Sequence, residues 1–345
     1  MGQEISGSHF KKQDFAAFNR RLKTETHLLE RYFAEQRFSA RHGTAGFELE
    51  AWLVDHAAQP APENVHFLEQ LPGALVAPEL SLFNIELNST PLALGSGALA
   101  AMHRELSANW QRWQEVADSM ELRLAMVGIL PTVRDEVLTL ANMSRLTRYK
   151  ALNEQVMRLR NGRALVLEIQ GREHLRTEHR DVMLEAATTS FQIHLQVAQE
   201  KAARYFNVAT LLSAPMVAVS ANSPLLFRRR LWQESRIPLF EQAVDIGGIQ
   251  GAAFGPLKRV TFGSGYVRES LLELFRENLE HYPILLPVEL GDPPEALSHL
   301  RLQNGTIWRW NRPLVGFDED GTPHLRIEHR VVPAGPSVVD SIANA

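Results

Sequence analysis

Apolar residues recur every three or four positions along several stretches of the chain, a spacing typical of helices with one buried face. The first stretch follows Asp14, a suitable N-cap residue, and predicts a helix that ends near residue 37. The same spacing predicts four further helices, over residues 97–124, over residues 146–160, from the end of the third strand below to about residue 212, and over residues 267–279.

Four other stretches alternate apolar and polar residues, which is the period of a strand with one buried face. In the first, residues 46–55, Phe47 and Leu49 share one face while Glu48 and Glu50 share the other. The same alternation predicts strands over residues 83–88, 190–197 and 325–332.

Three regions are less regular. A short apolar run predicts a strand over residues 125–130, while residues 168–181 are dense in charge and fit neither period. The region 223–265 is rich in turn-forming residues.

The polar faces of the four alternating strands carry acids, amides and imidazole. Two glutamates two positions apart on a strand lie side by side and repel each other, so a cation is their natural partner. Hard divalent cations prefer carboxylate oxygens with an occasional imidazole. One such face alone is more simply a solvated surface, but four of them favour a metal site, carried by Glu48 with Glu50, Glu86 with Asn88, Gln192 with His194, and Glu328 with Arg330.

Composition narrows the class of protein. Apolar residues make up 45% and charged residues 22% of the 345 residues, which is typical of a globular chain with a buried core. The net charge of −4, without a basic tail, argues against a nucleic-acid partner. The chain has no cysteine, so disulfides, zinc-thiolate sites and cysteine nucleophiles are excluded.

Targeting signals and other motifs are missing from the sequence. Residues 1–12 lack the apolar core of a signal peptide, and the most apolar run, residues 211–227, is broken by prolines, so we expect a cytoplasmic protein without a membrane partner. There is no Walker A or dinucleotide motif, and the glycines around Ser264 fit a turn and a phosphate cradle equally well. His174 and His179, near Glu173 and Glu178, are interpreted as charged surface rather than a second metal site.

Six short motifs occur in an order that resembles the glutamate-cysteine ligase family, and more closely its bacterial carboxylate-amine ligase branch. The resemblance covers about residues 42–345. The motifs are Gly46-Phe-Glu-Leu-Glu50, Pro78-Glu-Leu followed by Asn84-Ile-Glu-Leu-Asn88, Gln192-Ile-His-Leu, Ala218-Val-Ser-Ala-Asn-Ser-Pro224, Glu234-Ser-Arg236 and Arg326-Ile-Glu-His-Arg330.

This resemblance implies an α+β fold in which a curved, mostly antiparallel sheet forms an open funnel with helices packed on its outer face, as in the glutamine synthetase-like catalytic fold. It also implies an N-terminal helical segment, residues 1–40, before a catalytic domain over residues 41–345. The family's catalytic region normally continues beyond the segment that contains Glu328, so we expect this domain to be truncated at its C-terminus.

The resemblance also implies site residues and cofactors, namely ATP with Mg²⁺ or Mn²⁺. The expected metal ligands are Glu48, Glu50, Glu79, Glu86, His194 and Glu328. Arg236 and Arg330 are expected to contact phosphates beside Ser235, with these two arginines and Glu328 as the catalytic residues, and Arg148, Tyr149 and Asn88 are expected to bind substrate. Trp308 and Trp310 also lie in a family-like segment, although indoles there would equally pack a core.

The expected function is an ATP-dependent, ADP-forming ligase that joins a glutamate-like carboxylate to an amine, with cysteine as one possible amine, through an acyl phosphate. Its partners would be small amino-acid and amine substrates and, in a homo-oligomer, further copies of the chain. Two alternatives stay open at this point. A phosphotransferase of the same fold group would phosphorylate a substrate without ligating it, and a non-catalytic module would only bind nucleotide.

Overall fold

The structure is a computed structural model that describes residues 4–5, 7–41, 43–73, 75–247 and 258–345. The α-helices in this part of the chain are α1 (Lys12–Ala34), α2 (Asn64–Glu69), α3 (Ala98–Ser119), α4 (Thr147–Leu159), α5 (Gln199–Ser220), α6 (Arg236–Ala243), α7 (Leu272–His281), α8 (Ser298–Gly305) and α9 (Val338–Asn344). The strands are β1 (Thr44–Val54), β2 (Val76–Pro78), β3 (Asn84–Asn88), β4 (Leu92–Ala93), β5 (Arg123–Ala125), β6 (Leu165–Gln170), β7 (His174–His179), β8 (Phe191–Val197), β9 (Leu225–Leu226), β10 (Arg229–Arg230), β11 (Asn311–Phe317) and β12 (Pro323–His329).

Eight of the strands form one curled antiparallel sheet. Its order is β11-β12-β8-β1-β3-β2, and the short strands β4 and β5 pair with the two ends of β1. The predicted α+β fold with a curved antiparallel sheet is therefore confirmed. Long β1, paired with both β8 and β3, lies at the centre, so residues on its polar face have neighbours on both sides.

The apolar face of the sheet packs on helix α3. Leu49 and Ala51 of β1 are fully buried there together with Leu87 of β3, and they share one core with Leu106 and Trp113 of α3. Burial of one face fixes the register of every strand, because a slip of one residue would turn the carboxylates into this core. The apolar residues thus hold the acidic residues on the opposite face.

Helix α1 packs at the other end of the sheet. Phe18, Leu22 and Leu29 of α1 share a core with residues of α7 and β12. Glu25, fully buried in α1, accepts a hydrogen bond from the backbone N–H of Leu300 (2.8 Å) and pairs with His299 Nδ1 (2.6 Å), both in α8. These bonds fix α8, which lines the cavity described below; the proposed domain boundary after residue 40 stays a prediction.

Several predicted elements have different bounds in the structure. The strand predicted over residues 125–130 ends at Ala125, because the following backbone groups bond to side chains: the carbonyl of Val127 accepts from Trp52 Nε1, and the N–H of Gly128 donates to Asn222 Oδ1. Helix α5 continues past residue 212 to Ser220 despite Pro215. Helix α7 begins at Leu272, not at residue 267.

Other parts of the fold were not anticipated. Residues 168–181 belong mainly to the hairpin β6–β7, and the turn-rich region 223–265 contains α6, with its residues 248–257 outside the described part of the chain. Strand β11 was missed because Pro313 and Gly316 interrupt its pattern; proline is tolerated there because β11 is an edge strand. Among the described helices, none combines the length and apolar character needed to cross a bilayer.

We expect Leu49→Ala to lower the free energy of unfolding by about 2–5 kcal/mol, since Leu49 is fully buried beneath α3 and its loss leaves a cavity. Val219→Ala is the control: Val219 is 76% exposed on α5, so the change should stay within about 0.5 kcal/mol. Urea unfolding of both variants provides the measurement. Equal effects would show that this face is not the packed core.

Candidate functional site

A cavity of about 290 Å³ lies against the polar face of the sheet. Helices α4 and α8 and the segment after α8 supply its other walls, so helices line the inside of the curled sheet as well as its outside. The cavity is lined by six glutamates: Glu48 and Glu50 of β1, Glu79 after β2, Glu86 of β3, Glu185 from the 3₁₀ helix Met183–Ala187, and Glu328 of β12.

Glu48, His194 and Glu328 form the tightest group. Cross-strand pairing brings them together, with His194 opposite Glu328 and Gln192 opposite Glu48. His194 Nε2 lies 3.3 Å from Glu48 Oε1 and 3.7 Å from Glu328 Oε1, and one ligand atom from each of the three residues lies within 4.8 Å of the others. Neither buried ring nitrogen of His194 has a well-aligned hydrogen bond among the described residues.

Both carboxylates of this group are ionised. Burial alone would raise the pKa of Glu328, but the nearby Arg312, Arg330 and His194 hold it well below its ordinary range. Arg312 makes a bidentate contact, with Nε 2.5 Å from Glu328 Oε2 and Nη2 2.8 Å from Oε1, and Arg330 Nη1 lies 3.1 Å from Oε1. Burial also opposes ionisation of Glu48, but the adjacent His194 lowers its pKa to about 2.

The pKa values of the other four glutamates are raised instead of lowered. Burial raises the pKa of Glu50 to about 7 even though Arg330 and the backbone N–H of Ser190 (2.6 Å) favour its charge. Burial and the charge of Glu50 raise the pKa of Glu185 to about 8. The pKa values of Glu79 and Glu86 are also raised by burial and by neighbouring carboxylates, and these two side chains are hydrogen-bonded to each other.

These observations fit a site for divalent cations. The buried imidazole of His194 lacks an aligned partner between two ionised carboxylates, and burial and crowding raise the pKa values of four more carboxyl groups. A cation would relieve both conditions, because it accepts the nitrogen and oxygen lone pairs and removes the carboxylate repulsion. Carboxylate oxygens with one imidazole are a donor set for Mg²⁺ or Mn²⁺.

Arg148 and Tyr149, at the start of α4, line the same cavity. Arg148 Nη2 donates to the hydroxyl of Tyr149 (2.9 Å), whose ring lies beneath the guanidinium at 4.7 Å. Burial and the nearby Glu79 raise the pKa of Tyr149 well above its ordinary value, so the phenol is neutral. The structure therefore places a cation and a hydrogen-bonding phenol beside the acidic wall.

Three of the predicted site residues lie outside the cavity wall. Arg236 is buried behind it: its Nε donates to Glu234 (2.9 Å), and its Nη atoms donate to the carbonyls of Arg330 (3.4 Å) and Val331. Ser235 is fully buried and bonds to the backbone of Trp232. Asn88 donates to Glu86 Oε1 (2.9 Å) rather than lining the cavity. A direct phosphate contact by Arg236 does not agree with this placement.

The structure separates two pairs of residues that lie close together in the sequence, a pair of tryptophans and a pair of histidines. Trp308 lines the cavity, while Trp310 packs beneath Arg236. His174 and His179 are separated. His174 is exposed and pairs with Glu168 (3.0 Å), as expected for a charged surface. The side chain of His179 is instead nearly buried and pairs with Asp135 (2.6 Å).

Sequence reasoning missed several residues of the cavity wall. Glu185 is in a 3₁₀ helix, where alternation gives no information, and Arg312 belongs to the unpredicted strand β11. Arg326 lies on a predicted polar strand face but was assigned no role, and Gln192 was named on such a face without being included among the metal ligands. For these two, the available signal was the shared face with Glu328 and His194.

In the metal-free protein, raising the pH from about 5 to about 8 should lower the free energy of unfolding. Glu50 and Glu185 retain their protons in the folded state up to about 7 and about 8, whereas their ordinary value is 4.5, so the folded state binds more protons in this interval. Glu185→Gln should make the decline shallower. Glu69→Gln, at the exposed end of α2, should not change it.

Urea unfolding in a chelating buffer at several pH values provides the measurement. An equal slope in wild type and Glu185→Gln would show that the side chain of Glu185 titrates normally in the folded protein.

The chain was compared with known proteins. A family model described as glutamate-cysteine ligase family 2 matches residues 44–260. No curated protein matches the chain. Two of the solved structures that resemble it are ligases. Glutamate-cysteine ligase from Francisella tularensis in complex with AMP has 10% identity and a TM-score of 0.28, and the match covers 53% of this chain and 32% of that one. A bifunctional glutathione synthetase from Pasteurella multocida has 12% identity and a TM-score of 0.44, and the match covers 92% of this chain and 39% of that one.

The chain thus spans well under two thirds of the length of either of these two proteins. The family match extends over more than half of the chain and includes the cavity residues from Glu48 to His194. It confirms the resemblance seen in the short motifs, and the chain belongs to glutamate-cysteine ligase family 2.

Proposed function

We propose that the protein is an ATP-dependent ligase that joins a glutamate-like carboxylate to an amine through an acyl phosphate and releases ADP and phosphate. The observation that carries this proposal is the group of Glu48, His194 and Glu328 on the wall of one cavity with four further carboxyl groups, in a chain of this family. With all six carboxyl groups ionised, such a wall would repel anionic substrates unless cations were bound to it. It therefore fits a reaction whose nucleotide enters with divalent metal.

Glu48, His194 and Glu328 would hold one divalent cation, and Glu50, Glu79 and Glu86 would hold further ions. Bound Mg²⁺ or Mn²⁺ would neutralise the charge on the phosphoryl oxygens of ATP. The fixed arginines around Glu328 keep this carboxylate ionised and oriented, so it is ready to bind a cation without first losing a proton.

Arg330 would contact the transferred phosphoryl group. Its guanidinium lines the cavity, where Nη1 contacts both Glu328 Oε1 and Gln192 Oε1. Arg236 supports it from behind through hydrogen bonds to the carbonyls of Arg330 and Val331. We therefore assign Arg236 a positioning role, with Ser235 bonded to the adjacent turn.

Arg148 and Tyr149 are suited to bind the carboxylate substrate. A guanidinium and a neutral phenol both donate hydrogen bonds to carboxylate oxygens, and both lie on the cavity wall. Glu79 lies beside them and, after losing its proton, would hold the substrate's ammonium group or a metal ion. A glutamate-like acid carries both kinds of group.

The reaction has two steps. An oxygen of the substrate carboxylate attacks the γ-phosphorus of ATP, the bond to ADP breaks, and an acyl phosphate forms. The amine nitrogen then attacks the acyl carbon, phosphate leaves with the electron pair of the broken bond, and the nitrogen loses a proton. Activation is required because a free carboxylate has no adequate leaving group, and cationic groups stabilise the phosphoryl transfer most strongly in its transition state.

The proposal is tested by measuring phosphate release from ATP with Mg²⁺ across pairs of amino acids and amines, and by trapping the acyl phosphate with hydroxylamine as a hydroxamate. Turnover that requires both an acid and an amine supports the ligase. A stable phosphorylated product formed without any amine would instead identify a phosphotransferase. ATP binding without turnover would identify a nucleotide-binding module.

Glu86→Gln should abolish turnover and leave the thermal stability of the metal-free protein equal or higher. The change is nearly isosteric, removes one metal-binding charge and relieves repulsion from Glu48. Glu69→Gln should leave both properties unchanged. Marked destabilisation of Glu86→Gln without metal would mean that Glu86 is a structural residue.

Arg330→Lys should lower kcat by roughly two to four orders of magnitude, the scale seen when a preorganised charge-stabilising donor is lost, while ATP affinity changes much less. Lysine keeps the charge but lacks the rigid planar fork of donors with which Arg330 contacts Gln192 and Glu328 and would also reach a phosphoryl oxygen. Arg112→Lys, on the exposed side of α3, is the matched control. Near-normal turnover of Arg330→Lys would show that Arg330 only forms a salt bridge and has no part in phosphoryl transfer.

A further inference from the structure

Arg326 of β12 is an arginine of the cavity wall that has neither a hydrogen bond nor an ion pair among the described residues. Its strand neighbours explain this. In the register of the sheet, Arg326 lies opposite Gln196 of β8 on one side and Leu314 of β11 on the other, and neither residue carries a negative charge. Glu328, two residues further on, instead lies between His194 and Arg312.

The acidic residues nearest to Arg326 interact with other residues. Glu328 is held by Arg312 and Arg330, and Glu48 lies beside His194, so both belong to the candidate metal group. The nearby charges of Arg301 and Arg312 add to the effect of burial and lower the pKa of Arg326, although Glu328 and Glu48 oppose them. A guanidinium that is removed from water without a hydrogen bond or an ion pair destabilises the fold unless an anion binds to it.

A second arginine faces the same end of the cavity. Arg301 of α8 lines the wall and stacks over the ring of Phe317 at 5.7 Å, without an ion pair among the described residues. Helix α8 is held in place by the buried pair of Glu25 and His299. The cavity therefore has a cationic end at α8 and an acidic end at Glu50, Glu79, Glu86 and Glu185.

We propose that Arg326, with Arg301 beside it, binds an oxyanion at the α8 end of the cavity: a phosphate of the nucleotide or the carboxylate of an amino-acid substrate. The identity of the ligand rests on the proposed function, but the anion site itself does not. Arg326 and Glu328 are about 7 Å apart along the strand, so an anion at Arg326 lies within reach of a group bound at Glu328.

The test is calorimetric titration, in buffer with Mg²⁺, of inorganic tripolyphosphate and separately of L-glutamate into wild type and Arg326→Gln. Loss of a charge-assisted hydrogen bond should weaken binding of one of these probes by about 10- to 100-fold and leave the other within about threefold. Selective loss of tripolyphosphate binding assigns the site to the nucleotide phosphates, and selective loss of glutamate binding assigns it to a substrate carboxylate. Arg112→Gln should bind both probes as wild type does.

Gln196→Glu is a second variant that does not remove the arginine. It places a carboxylate opposite Arg326, so it should satisfy the guanidinium internally, weaken the same probe by a similar factor and keep or raise the melting temperature. Affinities within about twofold of wild type for both probes in Arg326→Gln, or in a folded Gln196→Glu, would overturn the anion site. So would a wild-type protein that binds neither probe.

Failure of the proposed function has a different signature. If wild type forms no product from ATP in the presence of acids and amines but loses anion binding on Arg326→Gln, the ligase proposal is wrong and the anion site stands. If turnover is present and Arg326→Gln binds both probes normally, only the anion site is wrong.

Discussion

Mutual repulsion among buried carboxylates is the constraint on which the rest of this structure depends. The antiparallel register places Glu50 directly opposite Glu86, and burial removes the water that would otherwise screen them. A sheet face of this kind opposes folding. The acidic face persists because the opposite face buries a continuous apolar layer against α3. This burial fixes the register of the strands, so the acidic side chains can only lie on the other face.

The surrounding residues divide this charge into two regions. Two arginines keep the carboxylate of Glu328 ionised and oriented, and Arg236 in turn fixes the backbone of Arg330. Around Glu50 and Glu185 the positive charge is insufficient, so protons are retained in the absence of metal. A cation at the first region would bind preformed ligands, whereas one at the second would displace protons. The two regions therefore differ in the pH dependence of cation binding.

Much of this arrangement could be predicted from alternation alone. Period-two patterns correctly placed Glu48, Glu50, Glu86, His194 and Glu328 on polar strand faces, because burial of the other face leaves only one possible orientation. Alternation cannot determine which strands are neighbours, so the meeting of the three groups on β1, β8 and β12 required the sheet order. Glu79, which follows a proline, was reached only through the family motifs.

The remainder depended on contacts that a linear pattern does not contain. Glu185 projects from an irregular segment, and Arg312 lies on an edge strand interrupted by proline. Arg236 has the residue type of a phosphate ligand, yet its guanidinium is used by Glu234 and two backbone carbonyls. Its role is set by burial, which residue identity does not reveal.

The central claim, that the carboxylate wall is a cation site, is tested most directly by the protons released when metal binds. Calorimetric titration of Mn²⁺ into the metal-free protein near neutral pH, in two buffers of different ionisation enthalpy, measures this number. We expect saturable binding with net proton release, since Glu50 and Glu185 retain protons there until a cation arrives. Absence of binding, or binding without proton release, would contradict the account.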